Sequence, residues 1–232
     1  MRVQPMRLIL FDVDGTLVDC GRQVRPLFAS ALEDVFGTAG DVEGYDFSGK
    51  TDTRIVLDLV TGAGVPAERV ESGLARARAL YLERLAGGLR PEAMRLLPGV
   101  RELLERLATR ADLTLGLLTG NWEPGARLKL APFDLNRFFP FGAFGDDGVD
   151  RAQLPPVVLA RAAAFRGVEF DAADTLIVGD SLLDVACAQA HGVRTLAVAT
   201  GRTAAAALRA AGADWVISDL WRAPECHPAF SG

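Results

Sequence analysis

Leu8-Ile9-Leu10-Phe11-Asp12-Val13-Asp14-Gly15-Thr16-Leu17 is the stretch on which the reading of this chain turns. Its four leading apolar residues predict a strand buried on both faces, the pattern of a parallel sheet. The strand runs into a pair of carboxylates, Asp12 and Asp14, and then a glycine that permits a sharp turn. Carboxylates at the end of a buried strand are costly unless a cation or a ligand meets them there. A plain strand-ending Asp-x-Asp-Gly turn is the alternative, and the rest of the chain has to discriminate.

Downstream, Val24, Leu27, Phe28, Ala31, Leu32, Val35 and Phe36 recur at helical spacing, and Gly37 ends that helix. A loop spans Gly40 to Gly49. A second helix opens at Thr51-Asp52, and a third, opening at Pro66, carries Val70, Leu74, Ala77, Tyr81 and Leu85. No strand is expected between Asp19 and Gly88, so these residues predict a helical unit inserted into something else. From Leu96 onward the pattern alternates: a helix after Pro98-Gly99, the strand Leu113–Leu118 and a short helix after Pro124. A short strand follows at Phe141–Phe144, then a helix that should bury Val158, Leu159, Ala162 and Phe165. Strands at Thr175–Val178, Thr195–Ala199 and Trp215–Ile217 complete it, separated by helices. Such alternation predicts a parallel sheet with helices on both faces, and in such sheets ligands bind at the carboxyl ends of the strands. Those ends carry Asp12 and Asp14, Thr119 and Asn121, Asp180, and Thr200.

The 232 residues carry a net charge of −5 and no basic run, which argues against nucleic acid as a partner. No apolar run reaches membrane-spanning length, and Asp12 interrupts the N-terminal one, so neither a membrane anchor nor a signal peptide is expected. Cys20, Cys187 and Cys226 are odd in number and widely spaced, which fits neither a zinc site nor a disulfide framework and suits a reducing cytoplasm. Cys20 reads as a small apolar residue. His191 and His227 belong to no catalytic arrangement.

Three carboxylates on one sheet edge need a divalent cation among them, and an oxygen-only donor set favours magnesium. Thr119 with the backbone amides of Gly120 and Asn121 can hold phosphate oxygens. Asp12 can then act as a nucleophile, and Asp14 can protonate a leaving oxygen and later deprotonate water.

The segments Asp12-Val13-Asp14-Gly15-Thr16, Leu118-Thr119-Gly120-Asn121 and Gly179-Asp180-Ser181-Leu182-Leu183-Asp184 resemble, in order and spacing, the motifs of the haloacid dehalogenase superfamily. The resemblance covers essentially the whole chain. It implies a Rossmann-like α/β core from residues 1–18 and 89–232, with a helical cap of that family's first type over 19–88. It further implies that Asp12 forms an aspartyl-phosphate, Asp14 is the general acid and base, and Thr119 binds the phosphoryl group. Asp180 would hold magnesium with Asp12 and the backbone carbonyl of Asp14, with Asp184 standing behind the ligands or simply favouring the first turn of its helix.

The lysine that this family usually carries before the helix preceding the Gly-Asp strand is absent, and aligning that helix puts Arg151 there. Arginine can neutralise phosphate and Asp12 with a planar fork. A solvated arginine beside Asp150 is the alternative, and Lys129 is a rival for the role. Dehalogenases of this superfamily lack an acid at the position of Asp14, so the resemblance points to a phosphoglycolate phosphatase-like hydrolase of small phosphorylated metabolites. A beta-phosphoglucomutase-like sugar phosphomutase shares this aspartate, and a non-catalytic binding protein on the same fold is the third reading. In the cap, Phe47-Ser48-Gly49-Lys50-Thr51-Asp52 is the specificity candidate: Lys50 and Thr51 would meet an anionic substrate tail near a helix N-terminus, or form a plain capping turn. Trp122 either walls the cleft or packs. Oligomeric state is not legible.

Overall fold

The computed structural model describes residues 7–226 and Phe230. His227 lies outside them, as does the side chain of Cys226. In chain order the elements begin with β1 (Arg7–Phe11), β2 (Val18–Asp19), α1 (Val24–Phe36), α2 (Asp52–Gly62) and α3 (Ala67–Gly88). They continue with β3 (Arg95–Leu96), α4 (Val100–Ala108), β4 (Leu113–Leu118), α5 (Glu123–Leu130) and β5 (Gly142–Ala143). The last are α6 (Leu154–Arg166), β6 (Thr175–Gly179), α7 (Leu182–Ala190), β7 (Arg194–Val198), α8 (Ala205–Ala210), β8 (Trp215–Ile217) and α9 (Ala223–Cys226).

Six strands form one parallel sheet in the order β5-β4-β1-β6-β7-β8. Because side chains alternate along a strand, Leu8 and Leu10 of β1 pack with α6 and α7 on one face. Ile9 and Phe11 pack with α4 and α5 on the other. All four are fully buried, which is why the strand reads as an unbroken apolar run. Phe11 pairs with Leu117 of β4 and Val178 of β6, so β1 sits centrally and the three strands end level.

Helices α1, α2 and α3 share a separate apolar cluster built on Phe28, Leu32, Ile55, Val56, Tyr81 and Leu85. Trp122 comes from the sheet layer yet belongs to this cluster, 2 % exposed, its ring stacked on Phe28 at 6.2 Å and tilted against Tyr81 at 5.9 Å. The tryptophan therefore packs and does not wall the cleft.

The structure adds one feature and corrects two expectations. A two-residue antiparallel ribbon, β2 with β3, ties together the chain segments entering and leaving the helical layer; strands this short carry no periodicity to detect. Pro66 is the N-cap of α3, one residue outside the helix. Phe165 is 54 % exposed, touching Phe141 only ring to ring at 5.4 Å, because α6 turns Val158 and Ala162 inward instead.

Candidate active site

The register of the sheet assembles the site. Asp12 follows the last residue of β1, while Thr119 and Asp180 each lie two residues beyond the partners of Phe11 in β4 and β6. All three are buried. Arg151 enters from the 3-10 turn Arg151–Gln153 ahead of α6. Its Nη2 lies 3.0 Å from Asp12 Oδ1 and donates to Asp184 Oδ1 at 2.5 Å and to the Leu118 carbonyl at 2.9 Å. Nη1 donates to the Gly49 carbonyl at 3.2 Å, while the buried Nε has no hydrogen-bond partner among the described residues. Asp184, fully buried at the start of α7, also accepts from Ser181 through its backbone N–H at 3.0 Å and its hydroxyl at 2.6 Å. This capping box is the local reason that α7 begins there.

Among the described residues, Asp12, Asp180 and Asp184 each place one carboxylate oxygen within 4.8 Å of the others. Burial raises the Asp12 carboxyl to about 6, against the lowering pull of the Arg151 guanidinium. Burial, then the charges of Asp12 and Asp184, carry Asp180 to about 8. Carboxylates pushed this high hold more negative charge than their surroundings stabilise, and an oxygen-only set of this kind fits a hard divalent cation. Thr16 Oγ1 steadies the cluster from the side, 3.4 Å from Asp180 Oδ1. Gly201 matters equally: a Cβ at that position would collide with the Asp180 carboxylate.

Asp14 is placed differently. Its carboxylate accepts from Lys129 Nζ at 2.6 Å and from Asn121 Nδ2 at 2.8 Å, so its side chain stands apart from the Asp12–Asp180–Asp184 cluster. Asn121 Oδ1 in turn accepts from Lys129 at 2.5 Å, and its Nδ2 also reaches Thr119 Oγ1 at 2.9 Å. Burial alone would lower the Lys129 ammonium, but Asp14 and its other neighbours hold it well above the ordinary value. Lys129 and Arg151 therefore are not rivals for one place: each faces its own aspartate.

The model of the haloacid dehalogenase-like hydrolase family matches residues 9–198. The chain belongs to that family. A relative, phosphoglycolate phosphatase 1 of Pseudomonas aeruginosa, is 30 % identical over 201 residues, covering 84 % of this chain and 70 % of its own. The phosphoglycolate phosphatase of Synechococcus elongatus is 29 % identical over 222 residues, covering 94 % of this chain and 97 % of its own. A haloacid dehalogenase-like family hydrolase from Streptococcus pneumoniae shares the fold, with a TM-score of 0.64, 18 % identity and 95 % and 97 % of the two chains covered.

In this haloacid dehalogenase-like hydrolase a pocket of about 480 Å³ opens over the site, lined by Asp12, Asp14, Thr119, Asn121, Lys129 and Arg151 among others. Lys50 borders it too, its Nζ 3.8 Å from the centre of the Tyr45 ring. Thr51 takes the capping alternative. Fully buried, its hydroxyl caps α2 by accepting from Arg54 N at 3.0 Å and donates to the Val149 carbonyl, so its one proton is not free for an anionic ligand. Gly120 offers a close approach: Asp52 N donates to its carbonyl at 2.7 Å, and a side chain there would strike the backbone of Lys50. The Asn121 backbone N–H lies 3.4 Å from Thr119 Oγ1, and its side-chain amide links Thr119 to Asp14.

The sequence put Asp52 in the specificity stretch and Thr16 in the first motif but showed neither contact: the Asp52 carboxylate accepts from Trp122 N at 2.9 Å, and the Thr16 hydroxyl reaches Asp180. Cys20 and Cys187 are buried, and burial pushes each thiol up to about 12. His191 lies at the end of α7 with a ring nitrogen 2.7 Å from the Ala152 carbonyl, clear of the pocket. No described helix is long and apolar enough to cross a membrane.

Proposed function

We propose that the protein hydrolyses small phosphomonoesters with magnesium, through an aspartyl-phosphate on Asp12. The family and the relatives named phosphoglycolate phosphatase make it a phosphatase. The observation that carries the finer reading is the division of labour between two aspartates. Asp12 lies buried against Arg151 and Asp180, while Asp14 keeps a half-exposed carboxylate on a separate cation, Lys129.

Asp12, Asp180 and the backbone carbonyl of Asp14 would hold magnesium, which when bound neutralises charge and orients the phosphoryl group. Arg151 fixes Asp12 and keeps Nε in reserve as a donor. Thr119 and the backbone of Gly120 and Asn121 cradle phosphoryl oxygens, and Lys50 meets the rest of the substrate. An Asp12 oxygen attacks phosphorus and the ester oxygen leaves, taking its proton from Asp14. Asp14 then removes a proton from water, the water oxygen attacks the same phosphorus, and Asp12 and inorganic phosphate are released. Residues 19–88 act as the cap over this chemistry, and the contacts of Gly49 with Arg151 and of Asp52 with Gly120 belong to its closed form. The buried, unpaired thiols of Cys20 and Cys187 suit a reducing cytoplasm.

Purified protein with magnesium should hydrolyse p-nitrophenyl phosphate, and Asp12→Asn should abolish this at unchanged circular dichroism. An Asp12→Asn variant with full activity would overturn the mechanism. Formation of glucose 6-phosphate from beta-glucose 1-phosphate and a bisphosphate activator would favour a mutase instead.

A further inference from the structure

The pocket is larger, and its outer end more basic, than phosphoryl transfer alone requires. Its floor is the buried set Asp12, Thr119 and Arg151. Around its solvent side stand four cations, Arg22, Arg25, Lys50 and Arg202, against two carboxylates, Asp19 and Glu43, although the whole chain carries a net charge of −5. At about 480 Å³ it falls in the range, roughly 300–1,000 Å³, that encloses ligands far bulkier than a two-carbon phosphoester.

Arg25 and Arg202 come from different layers, the first from α1 and the second from the loop that follows β7. Arg25 is held by neutral groups: Nη2 donates to the Tyr45 carbonyl at 2.8 Å, Nη1 to the Val42 carbonyl, and the guanidinium lies 4.3 Å from the centre of the Phe47 ring. Among the described residues neither arginine forms an ion pair with a carboxylate. Glu43 and Asp46 act on Arg25 beyond ion-pair distance, and Asp46 acts in the same way on Lys50 and Arg202. Burial and the charge of Arg202 both lower Arg25 from its ordinary value. Two guanidinium groups that repel across a seam, one of them partly desolvated, are complementary to an anion placed between them. Arg202 follows Gly201, whose missing side chain makes room for Asp180, so its backbone is tied to the catalytic edge.

We propose that Arg25 and Arg202, supported by Arg22 and Lys50, form a second anion site at the outer end of the pocket. The substrate is then a phosphomonoester longer than two carbons that ends in a second anionic group, a carboxylate or another phosphate. This rests on the phosphatase reading above, with Asp12 fixing the phosphoryl end. An anion held there bridges the helical layer to the sheet layer, so substrate binding closes the seam as it positions phosphorus.

The test compares kcat/KM of the full chain with magnesium on phosphoglycolate, 6-phosphogluconate, fructose 1,6-bisphosphate, glucose 6-phosphate and p-nitrophenyl phosphate. One of the two long anionic probes should exceed both glucose 6-phosphate and phosphoglycolate by about tenfold or more, and which one does so tells carboxylate from phosphate. Arg202→Gln should erase about tenfold of that preference, chiefly through KM, and Arg202→Lys should restore part of it. Turnover of p-nitrophenyl phosphate with no preference among the others, or a preference untouched by Arg202→Gln, would overturn the second site alone. No turnover of any probe would overturn it together with the phosphatase reading.

Discussion

Lys129 Nζ lies 2.6 Å from Asp14 Oδ2, with the lysine 3 % exposed and the aspartate 42 %. The ammonium is thus committed from inside the protein, while the carboxylate keeps one side toward the pocket. A cation in this position orients Asp14 and does not need to touch phosphate.

Lys129→Met removes that hold and leaves Asp14 to Asn121 alone. The variant should lose on the order of 10²-fold in kcat, within the contribution expected of a positioned acid and base, with a smaller change in KM. Steady-state kinetics with p-nitrophenyl phosphate checks this, and an equal loss in KM would assign Lys129 to substrate binding instead.

Arg151 spends its guanidinium on Asp12, Asp184 and the carbonyls of Leu118 and Gly49. A lysine carries charge but three donors on one nitrogen, which cannot span these acceptors. Arg151→Lys should therefore retain measurable turnover yet fall by about 10- to 100-fold, and Arg151→Met should fall further, by roughly 10³-fold. If the lysine variant matched the wild type, charge alone would be sufficient at this position.

Gly201→Ala introduces a methyl group where the Asp180 carboxylate stands. Asp180 must leave the position it holds there, so the magnesium concentration giving half-maximal activity should rise about tenfold or more while the fold survives. A titration of activity against magnesium, with circular dichroism as control, decides it.

Asp52 is buried in the first turn of α2, and burial raises its carboxyl from 3.8 to about 7, against the lowering effects of Lys129 and the Trp122 N–H. A carboxyl raised on folding keeps its proton while the unfolded chain gives it up, so stability falls as pH rises from about 4 to 7, and above that the penalty is complete. Asp52→Asn preserves an acceptor for Trp122 without the charge. Its Tm should match the wild type near pH 4 and exceed it increasingly up to about pH 7, then by a constant margin. Thermal melts across that range would contradict the assignment if the two proteins stayed parallel.

Much of the site was legible from local pattern. The motif aspartates, Thr119 and Asp180 follow short buried strands, and strands of that kind announce themselves by composition. A parallel sheet then brings their carboxyl ends to one edge whatever the loops between them do. Phe165 shows where periodicity fails: it occupies a helical position consistent with burial, but α6 lies on the sheet through Val158 and Ala162 and leaves the ring half-exposed. Thr51 shows the limit of composition, since a hydroxyl before a helix serves equally as a cap or as a ligand contact, and only its buried partners distinguish them.

By itself, then, the sequence determined the sheet, the helical insert and the aspartate that ends β1, because each depends on neighbours within a few residues. Tertiary structure alone decided that Arg151 faces Asp12 while Lys129 faces Asp14, the latter pair separated by 115 positions in the chain. It alone seated Trp122 among Phe28 and Tyr81 and set Asp52 against its backbone. The physical reason is common to all of these: a buried charge or ring takes its role from whatever partner packing brings within about 3–6 Å, and distance along the chain carries no record of that partner.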